Sequence, residues 1–280
     1  MPRYNLAQMA RRAGARRDTT LRPVEPAIGP EKDLARLYLA VLKAWSPEAI
    51  LRNYTGGLTT DAPSDQSDAI AEAENTVTRL ITEFARDLRE WLTRVETIHR
   101  SRWVAAIKAG TGLDLSTILT GSDVRETLEV ALERNVALVR NVSDQARGRI
   151  ADAVFRGYQE RRPAREVAKE IREATGLARD RSLRIAADQN AKISAALDRE
   201  RQAEAGIDLF RWRHSGKAHP RRPHVARDGK VYERATGKQV NPDGSKMAGE
   251  TIERGDFPGE APYCGCRAQA YLPIMAELGI

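Results

Sequence analysis

Apolar side chains recur every three to four residues along a long stretch of the chain, residues 65–108. The series is Val77, Leu80, Ile81, Phe84, Leu88, Trp91, Leu92, Val95 and Ile98. This spacing keeps one face of an α-helix apolar for several turns. At 1.5 Å per residue the helix is on the order of 60 Å long. Gly110 and Gly112 are expected to end it, and Trp91 and Trp103 are expected in the core.

The segments on either side of this stretch follow the same helical period. We expect a helix opening at Pro30, a long helical region over Ser122–Tyr158, a short helix from Pro163 that Gly176 caps, and a further helix over Arg179–Ala205 closed by Gly206. Gly56-Gly57 and Pro63 interrupt the chain before the longest helix. Most of the chain is therefore predicted to be helical.

The pattern changes near residue 209. Residues 210–213 alternate in polarity, which is typical of a strand. Asp228-Gly229, flanked by Val225 and Val231, predicts a β-hairpin, because a type I′ turn needs positive φ at both central residues. Gly237 and Asp243-Gly244 mark further turns. These signals predict a small antiparallel sheet.

The predicted fold class is α+β, with predominantly long α-helices and a small antiparallel β module at the C-terminus. The expected organisation is a flexible basic arm and Pro-rich linker over residues 1–30, a helical body over 31–208, and a C-terminal module with a His/Cys motif over 209–280. With 280 residues and 41% hydrophobic content, the chain can bury a core in two units.

Composition excludes several classes of protein. The sequence contains no run of eighteen apolar residues, so no membrane span is predicted. The N-terminus lacks the continuous apolar segment of a signal peptide. Two cysteines in 280 residues do not make a disulfide framework, so a reducing compartment is expected.

Basic charge is concentrated at the two ends of the chain. Residues 1–22 have net charge +5 and residues 211–280 have net charge +4, whereas 23–210 have −2. The asymmetry indicates a polyanionic partner, with double-stranded DNA the default candidate; a merely solvated tail is the alternative. The candidate DNA-binding residues are Arg11, Arg12, Arg16, Arg17, Arg211, Arg213, Lys217, Arg221 and Arg222.

The C-terminal module contains both cysteines and three of the four histidines. Cys264 and Cys266 can face one metal ion if Gly265 bends between them, and His219 and His224 supply imidazoles. A structural zinc ion on these four side chains would let a small sheet fold with little core. The alternative is a pair of buried cysteines with a hydrogen-bonded structural histidine.

Catalytic interpretations of the same residues are weaker. The cysteine motif and the residues after His224 both depart from the pattern of zinc deaminases. Two catalytic alternatives remain: a Cys–His nucleophile pair oriented by Asp228, and a metal-dependent nuclease that uses His224 and Asp228.

Several of these motifs occur together in one known family. Arg221-Arg222-Pro223-His224, Asp228-Gly229-Lys230-Val231-Tyr232, Pro258-Gly259 and Cys264-Gly265-Cys266-Arg267 resemble the closing motif of phage Mu F-like minor head morphogenesis proteins. Upstream, Arg184-Ile185-Ala186-Ala187-Asp188-Gln189 is similar to a helix of that family. The resemblance covers roughly residues 130–273. It implies structural roles for Trp212, Asp228, Gly229, Pro258, Gly259 and Arg267.

The resemblance implies a minor head protein of a tailed phage or prophage that assists head assembly and DNA packaging or ejection without catalytic turnover. Its partners would be the portal protein, other head proteins and double-stranded DNA, with no membrane. It would be found inside the virion head near the portal, and in the host cytoplasm during assembly. The alternative is a metal-dependent DNA-processing enzyme or a toxin-associated domain.

Overall fold

The computed structural model describes residues 2–52, 54 and 62–275, without the side chains of 62–66 and 122. The α-helices are α1 (Leu6–Arg12), α2 (Ile28–Leu42), α3 (Pro47–Ile50), α4 (Ala62–Thr111), α5 (Arg125–Gln159), α6 (Ala164–Glu204) and α7 (Arg222–Ala226). The strands are β1 (Thr19–Thr20), β2 (Leu209–Arg213), β3 (Val231–Glu233), β4 (Lys238–Val240), β5 (Lys246–Thr251) and β6 (Arg267–Leu272). The predicted fold class is confirmed.

The chain forms two compact units, each made of segments that are distant in sequence. One unit comprises Met1–Ala27, Thr93–Glu129 and Asp188–Ile280, and we call it the sheet unit. The other comprises Ile28–Leu92 and Val130–Ala187, and we call it the helical unit. The expected boundaries at residues 30 and 208 therefore differ from those of the compact units.

The helical unit packs aromatic side chains of α2 against α4 and α5. Tyr38 meets Phe84 edge to face, with ring centroids 5.3 Å apart. The Tyr38 hydroxyl donates to Asn135 Oδ1 over 3.0 Å, and Trp45 Nε1 donates to Ser143 Oγ over 2.8 Å. Asn135 and Ser143 are buried, and a buried polar group without a partner costs about 1–3 kcal/mol. These two bonds thus fix α2 and the 3-10 turn that follows it (Lys43–Trp45) on α5.

The sheet unit combines the later part of α4 with the chain's two ends. Trp103 and Ile107 of α4 are buried with Leu6 of α1 and Leu272 of β6. The predicted core positions of Trp91 and Trp103 are confirmed at 0% and 1% exposure. No described helix is both long enough and apolar enough to cross a membrane.

The six described strands form one antiparallel sheet in the order β1-β6-β2-β3-β4-β5. β6 lies next to the edge strand β1 and pairs with β1 on one side and β2 on the other, with Trp212 opposite Ala268. Gly237 and Gly244, both with positive φ, lie in the turns that lead to β4 and β5, which confirms the predicted turns there.

The prediction of a flexible arm over residues 1–22 is wrong. Leu6 and Ala10 of α1 are fully buried, and Leu21 is 1% exposed. β1 is an edge strand on β6, and the Leu6 amide donates to the carbonyl of Ala205. The basic residues of this segment interrupt an apolar series that packs against the C-terminal strands, so the segment is part of the folded unit.

Two local predictions are also wrong. Gly176 does not end a helix, because α6 runs without interruption from Ala164 to Glu204; one interior glycine costs only about 1 kcal/mol. Asp228-Gly229 does not join two neighbouring strand residues, because Val225 lies in α7. Gly229 still has positive φ, and its amide donates to the Trp212 carbonyl.

The other predicted helix boundaries lie within about three residues of the observed ones, but α2 begins at Ile28 rather than Pro30, and Gly110 lies inside α4 rather than at its end. Gly112 and Gly206 have positive φ just beyond α4 and α6, as helix-ending glycines do. Pro63 lies in the first turn of α4, and Gly56 and Gly57 lie outside the described residues.

Candidate functional site

His224 is held in the short helix α7, between β2 and β3. Pro223 stands in the first turn of α7, where its missing N–H leaves no hydrogen bond unmade. The His224 side chain is 3% exposed. Its ring packs edge-on against Trp212 of β2, with centroids 5.1 Å apart. The strand thus fixes the plane of the imidazole.

The loop before the two cysteines is fitted closely to α6. Pro258 and Gly259 are buried, and Gly259 has a φ of +84°. A Cβ at this position would lie 2.4 Å from the Cβ of Ala195 on α6, which is far inside van der Waals contact. Only glycine satisfies both conditions, so the Pro-Gly step brings the loop down onto the helix.

A second contact with α6 fixes the residue next to Cys264. Tyr263 has a φ of +58°, which is unusual for a residue with a side chain. Its amide donates to Asp188 Oδ1 over 2.6 Å, and Lys192 Nζ lies 2.8 Å from the other carboxylate oxygen. This carboxylate therefore stabilises the left-handed turn that directs Cys264 inward.

Three side chains that can act as metal ligands meet in this buried region. His224 Nδ1 lies 3.5 Å from Cys264 Sγ and 3.6 Å from Cys266 Sγ. The three ligand atoms all lie within 4.8 Å of one another. His224 Nε2 is 2.8 Å from Asp256 Oδ1. An Nε2–H that donates to this carboxylate leaves the Nδ1 lone pair directed at the sulfurs.

Charged groups behind the histidine form a continuous network. Arg227 Nη1 donates to Asp256 Oδ2 over 2.5 Å, and its Nε donates to Glu250 Oε2 over 3.0 Å. The Tyr232 hydroxyl donates to Glu250 Oε1 over 2.6 Å. The guanidinium of Arg227 also lies 5.1 Å from the centre of the Trp212 ring.

The network stabilises both carboxylates in their ionised form. Burial raises the pKa of Asp256, but hydrogen bonds from Arg227 and His224 outweigh it, so the pKa lies below its ordinary value. Burial likewise raises the pKa of Glu250, and hydrogen bonds from Tyr232 and Arg227 lower it further than burial raises it. His224 therefore faces the Asp256 carboxylate, which Arg227 holds in position and in its ionised form.

The two thiols are unequal. Hydrogen bonds from the Cys266 thiol and from the Gly259 amide together outweigh the effect of burial and lower the pKa of Cys264 to about 5. Donating its bond to Cys264, together with burial, raises the pKa of Cys266. The pair favours one thiolate, on Cys264, beside the imidazole.

Comparison with known proteins bears on this same region. Residues 145–269 match the family model described as Phage Mu protein F like protein. The matched region belongs to the Mu F-like family.

One relative with a similar sequence is longer than this chain. An uncharacterized protein of Haemophilus influenzae is 25% identical over 212 residues, which cover 75% of this chain and 41% of that protein. The chain thus spans less than half of this curated relative. No solved structure matches the chain.

The structure brings together three of the four predicted metal ligands of the Mu F-like region. His219 is exposed and lies outside the cluster formed by His224, Cys264 and Cys266, as far as the described residues go. Asp228 does not pair with His224 either. It accepts the His214 amide over 2.8 Å.

The predicted motif residues surround the cluster in this Mu F-like region. Trp212 is fully buried, Gly229 turns the chain after α7, and Pro258 and Gly259 seat the cysteine loop. Arg267 is 5% exposed, and its Nη1 donates to the carbonyl of Cys266. All of them position the cluster or its loops.

The predicted DNA-binding residues all lie in the sheet unit, but in different environments. Arg11 and Arg211 are partly buried, and the guanidinium of Arg211 lies over the Tyr271 ring at 5.2 Å. Arg12, Arg16, Arg17, Arg213, Lys217, Arg221 and Arg222 are exposed. Lys217 and Arg221 donate to the carbonyls of Tyr263 and Pro262, each over 2.8 Å. These two are thus tied to the cysteine loop.

Sequence reasoning missed the groups that support the cluster. Asp256 and Glu250 have no periodic or motif context in the sequence, and they lie 29 and 23 positions from their partner Arg227, with β3 and β4 in between. Asp188 lies in the motif of residues 184–189, but the motif alone does not indicate what the Asp188 side chain does. A buried histidine next to a cysteine pair nevertheless calls for a second hydrogen-bond partner, and the nearby acid before Pro258 was the available signal.

Proposed function

We propose that this chain is a minor head protein of a tailed phage or prophage that acts in head morphogenesis without catalytic turnover. Its proposed partners are the portal protein, other head proteins and the packaged double-stranded DNA. The family match over residues 145–269 carries the proposal, because it spans the helix, the loops and the strands that build the His/Cys cluster.

The burial of the cluster supports a structural role. His224, Cys264 and Cys266 are each no more than 3% exposed, and both ring nitrogens of His224 face partners within the protein. A catalytic base or nucleophile needs to reach a substrate atom within hydrogen-bond distance. The nuclease interpretation relied on His224 and Asp228 acting together, but His224 contacts Asp256 and Asp228 accepts the His214 amide, which further supports the non-catalytic proposal.

The distribution of charge supports DNA as a partner. Of the total net charge of +7, the sheet unit carries +6. The two basic ends of the sequence thus belong to one folded unit. Exposed arginines that neutralise phosphates release condensed counterions, which favours binding without sequence specificity.

Analysis of phage particles tests the head assignment. In the phage or prophage that encodes the chain, purified heads are expected to contain it in a few copies, measured by quantitative mass spectrometry. Deleting its gene is expected to lower the yield of DNA-filled heads, and a plasmid copy should restore the yield. The assignment is wrong if heads lack the protein and the yield is unchanged by deletion.

A plasmid-nicking assay separates the enzyme alternative. The purified protein is expected to leave supercoiled DNA intact with magnesium, manganese or zinc present. Metal-dependent nicking by the wild type that His224→Ala abolishes, and His219→Ala retains, would instead establish a DNA-processing enzyme. The exposed His219 is the matched control, because it lies outside the described cluster.

A further inference from the structure

The cluster of His224, Cys264 and Cys266 offers the donor set that zinc prefers. Zinc binds thiolate sulfur at about 2.3 Å and imidazole nitrogen at about 2.0–2.1 Å in a tetrahedral arrangement. Such bond lengths require a nitrogen and a sulfur ligand to be about 3.6 Å apart. The two Nδ1–Sγ distances are 3.5 and 3.6 Å.

These distances need no movement of the chain. Ordinary contact between a ring nitrogen and a sulfur would allow many orientations, but here one nitrogen lone pair is directed at both sulfurs. The residues come from two separate segments, α7 and the loop before β6, so their convergence is a product of the fold.

The groups around the ligands are those found around metal-bound histidines. A ligating imidazole usually donates its other N–H to a carboxylate, which fixes the tautomer and makes the ring more basic. Asp256 stands in that position, and Arg227 in turn holds Asp256. The cluster has both a first layer of ligands and a second layer that orients them.

We propose that His224 Nδ1, Cys264 Sγ and Cys266 Sγ bind one zinc ion. Three protein ligands leave the fourth tetrahedral position to a solvent molecule, as far as the described residues supply ligands. The ion would join α7 to the cysteine loop and so stabilise the small apolar cluster around Phe210 and Trp212. This inference is independent of the proposed role in head morphogenesis.

Metal content tests the proposal directly. The untagged full-length protein is purified under reducing conditions without added metal, dialysed against a weak chelator, and analysed by inductively coupled plasma mass spectrometry. About one zinc per chain is expected. Exchange for cobalt(II) is expected to give the intense visible absorption of a tetrahedral site and a thiolate-to-cobalt charge-transfer band.

Variants assign the ligands. His224→Ala, Cys264→Ser and Cys266→Ser should each lose the cobalt thiolate or tetrahedral signature, whereas His219→Ala should keep both the zinc and the spectrum. Asp256→Asn should retain the site but weaken zinc affinity by about 10–100-fold, because the carboxylate orients the imidazole. Removal of zinc from the wild type should lower Tm by about 5–10 °C.

The result that overturns the proposal is also defined on the wild type, so a misfolded variant does not obscure it. Less than about a tenth of an equivalent of zinc after reconstitution under reducing conditions, with an octahedral cobalt spectrum and an unchanged Tm, would mean that the three side chains form a metal-free thiol–imidazole cluster. Zinc retained equally by His224→Ala and both serine variants would place the ion elsewhere and would be equally decisive against it.

Discussion

At the scale of single residues, the buried polar groups near the end of α6 differ in whether they have hydrogen-bond partners. Arg201 is fully buried, and its Nη2 donates to Glu96 Oε1 over 2.5 Å. Glu204, one turn later, has a buried carboxylate oxygen with no hydrogen-bond partner among the described residues. Burial, and then the nearby Asp123, raise the pKa of Glu204. The fold therefore disfavours the ionised form of this side chain.

Glu204→Gln is expected to stabilise the protein at neutral pH. The raised pKa means that the folded state holds this proton more tightly than the unfolded state, in which Glu titrates near about 4.3. Stability from this group is thus fully present below about pH 4.3 and is lost as pH rises through the folded pKa. The glutamine variant should gain up to about 1 kcal/mol at pH 7, a figure reduced by partial exposure to solvent.

Denaturant unfolding of wild type and variant from pH 4 to 8 measures this difference. The gain should shrink toward pH 4, where Glu204 is mostly protonated in both states. Glu200→Gln on the exposed face of the same helix is the matched control and should change stability little. A glutamine variant that is less stable than the wild type at pH 7 would show that the carboxylate makes a favourable interaction instead.

Asp188 illustrates what a motif hides at this scale. The sequence places it in a helix similar to one of the Mu F-like family, and that helix exists. Its function as acceptor for the Tyr263 amide depends on a residue 75 positions away. Helical periodicity specifies which face of a helix is buried, but it contains no information about the loop that reaches that face.

At the scale of elements, α6 shows a conflict between two sequence signals, the helical periodicity of apolar residues and the glycines that often end helices. The sequence predicts a helix end at Gly176, yet Ile171 and Ala178 on either side of it are buried in one continuous helix. Packing of that face outweighs the propensity of one glycine. Gly206 differs, since it has a φ of +64° and really ends the helix. Both glycines are predicted to end helices because the φ angle that distinguishes them cannot be read from residue type.

The two glycines make a matched pair of substitutions. Gly176→Ala is expected to stabilise the protein by about 0.4–1 kcal/mol, because the added Cβ meets nothing within 4 Å beyond the adjoining residues and backbone of its own helix, and the unfolded chain loses conformational freedom. Gly206→Ala should destabilise the protein, because residue 206 has a positive φ, which is unfavourable for alanine, and the added Cβ would lie 3.2 Å from the Tyr4 carbonyl oxygen. Thermal melts of both variants measure the effect. An unchanged or lowered Tm for Gly176→Ala would contradict the helical account of this position.

At the scale of the whole molecule, basic charge and burial have to be considered together. Deleting residues 1–22 is a poor test of DNA contact, because Leu6, Ala10 and Leu21 are core residues and their loss would unfold the sheet unit. Substitution of exposed arginines keeps the fold. Arg12, Arg17 and Arg222 are exposed in this unit.

The triple variant Arg12→Glu, Arg17→Glu, Arg222→Glu is expected to bind double-stranded DNA more weakly than the wild type. If each arginine neutralises one phosphate, the slope of log K against log salt should fall in magnitude by about 2–3. Filter binding across a salt series measures both quantities. The control reverses Arg149, Arg172 and Arg179, which are exposed in the helical unit, for the same change in net charge.

Equal loss in both triple variants would mean that net charge alone governs the affinity. No loss in the first would mean that these arginines face a protein partner, with the portal the first candidate to test. In either case the position of the basic ends within one unit could be known only from the structure, since sequence alone made residues 1–22 a separate arm.

The pairing of β1 with β6 has a consequence for synthesis of the protein. Thr19 and its partner Leu272 are separated by about 250 residues, and β6 is the strand that joins β1 to the rest of the sheet. At roughly 5–20 residues per second, the ribosome makes the first strand some 10–50 s before the strand it needs. During that interval the apolar side of α1 lacks the part of its native surface that comes from β6, although Trp103 and Ile107 of α4 have already been made. The nascent chain thus carries incompletely covered apolar side chains of α1, the kind of surface that chaperones bind, until β6 has been made.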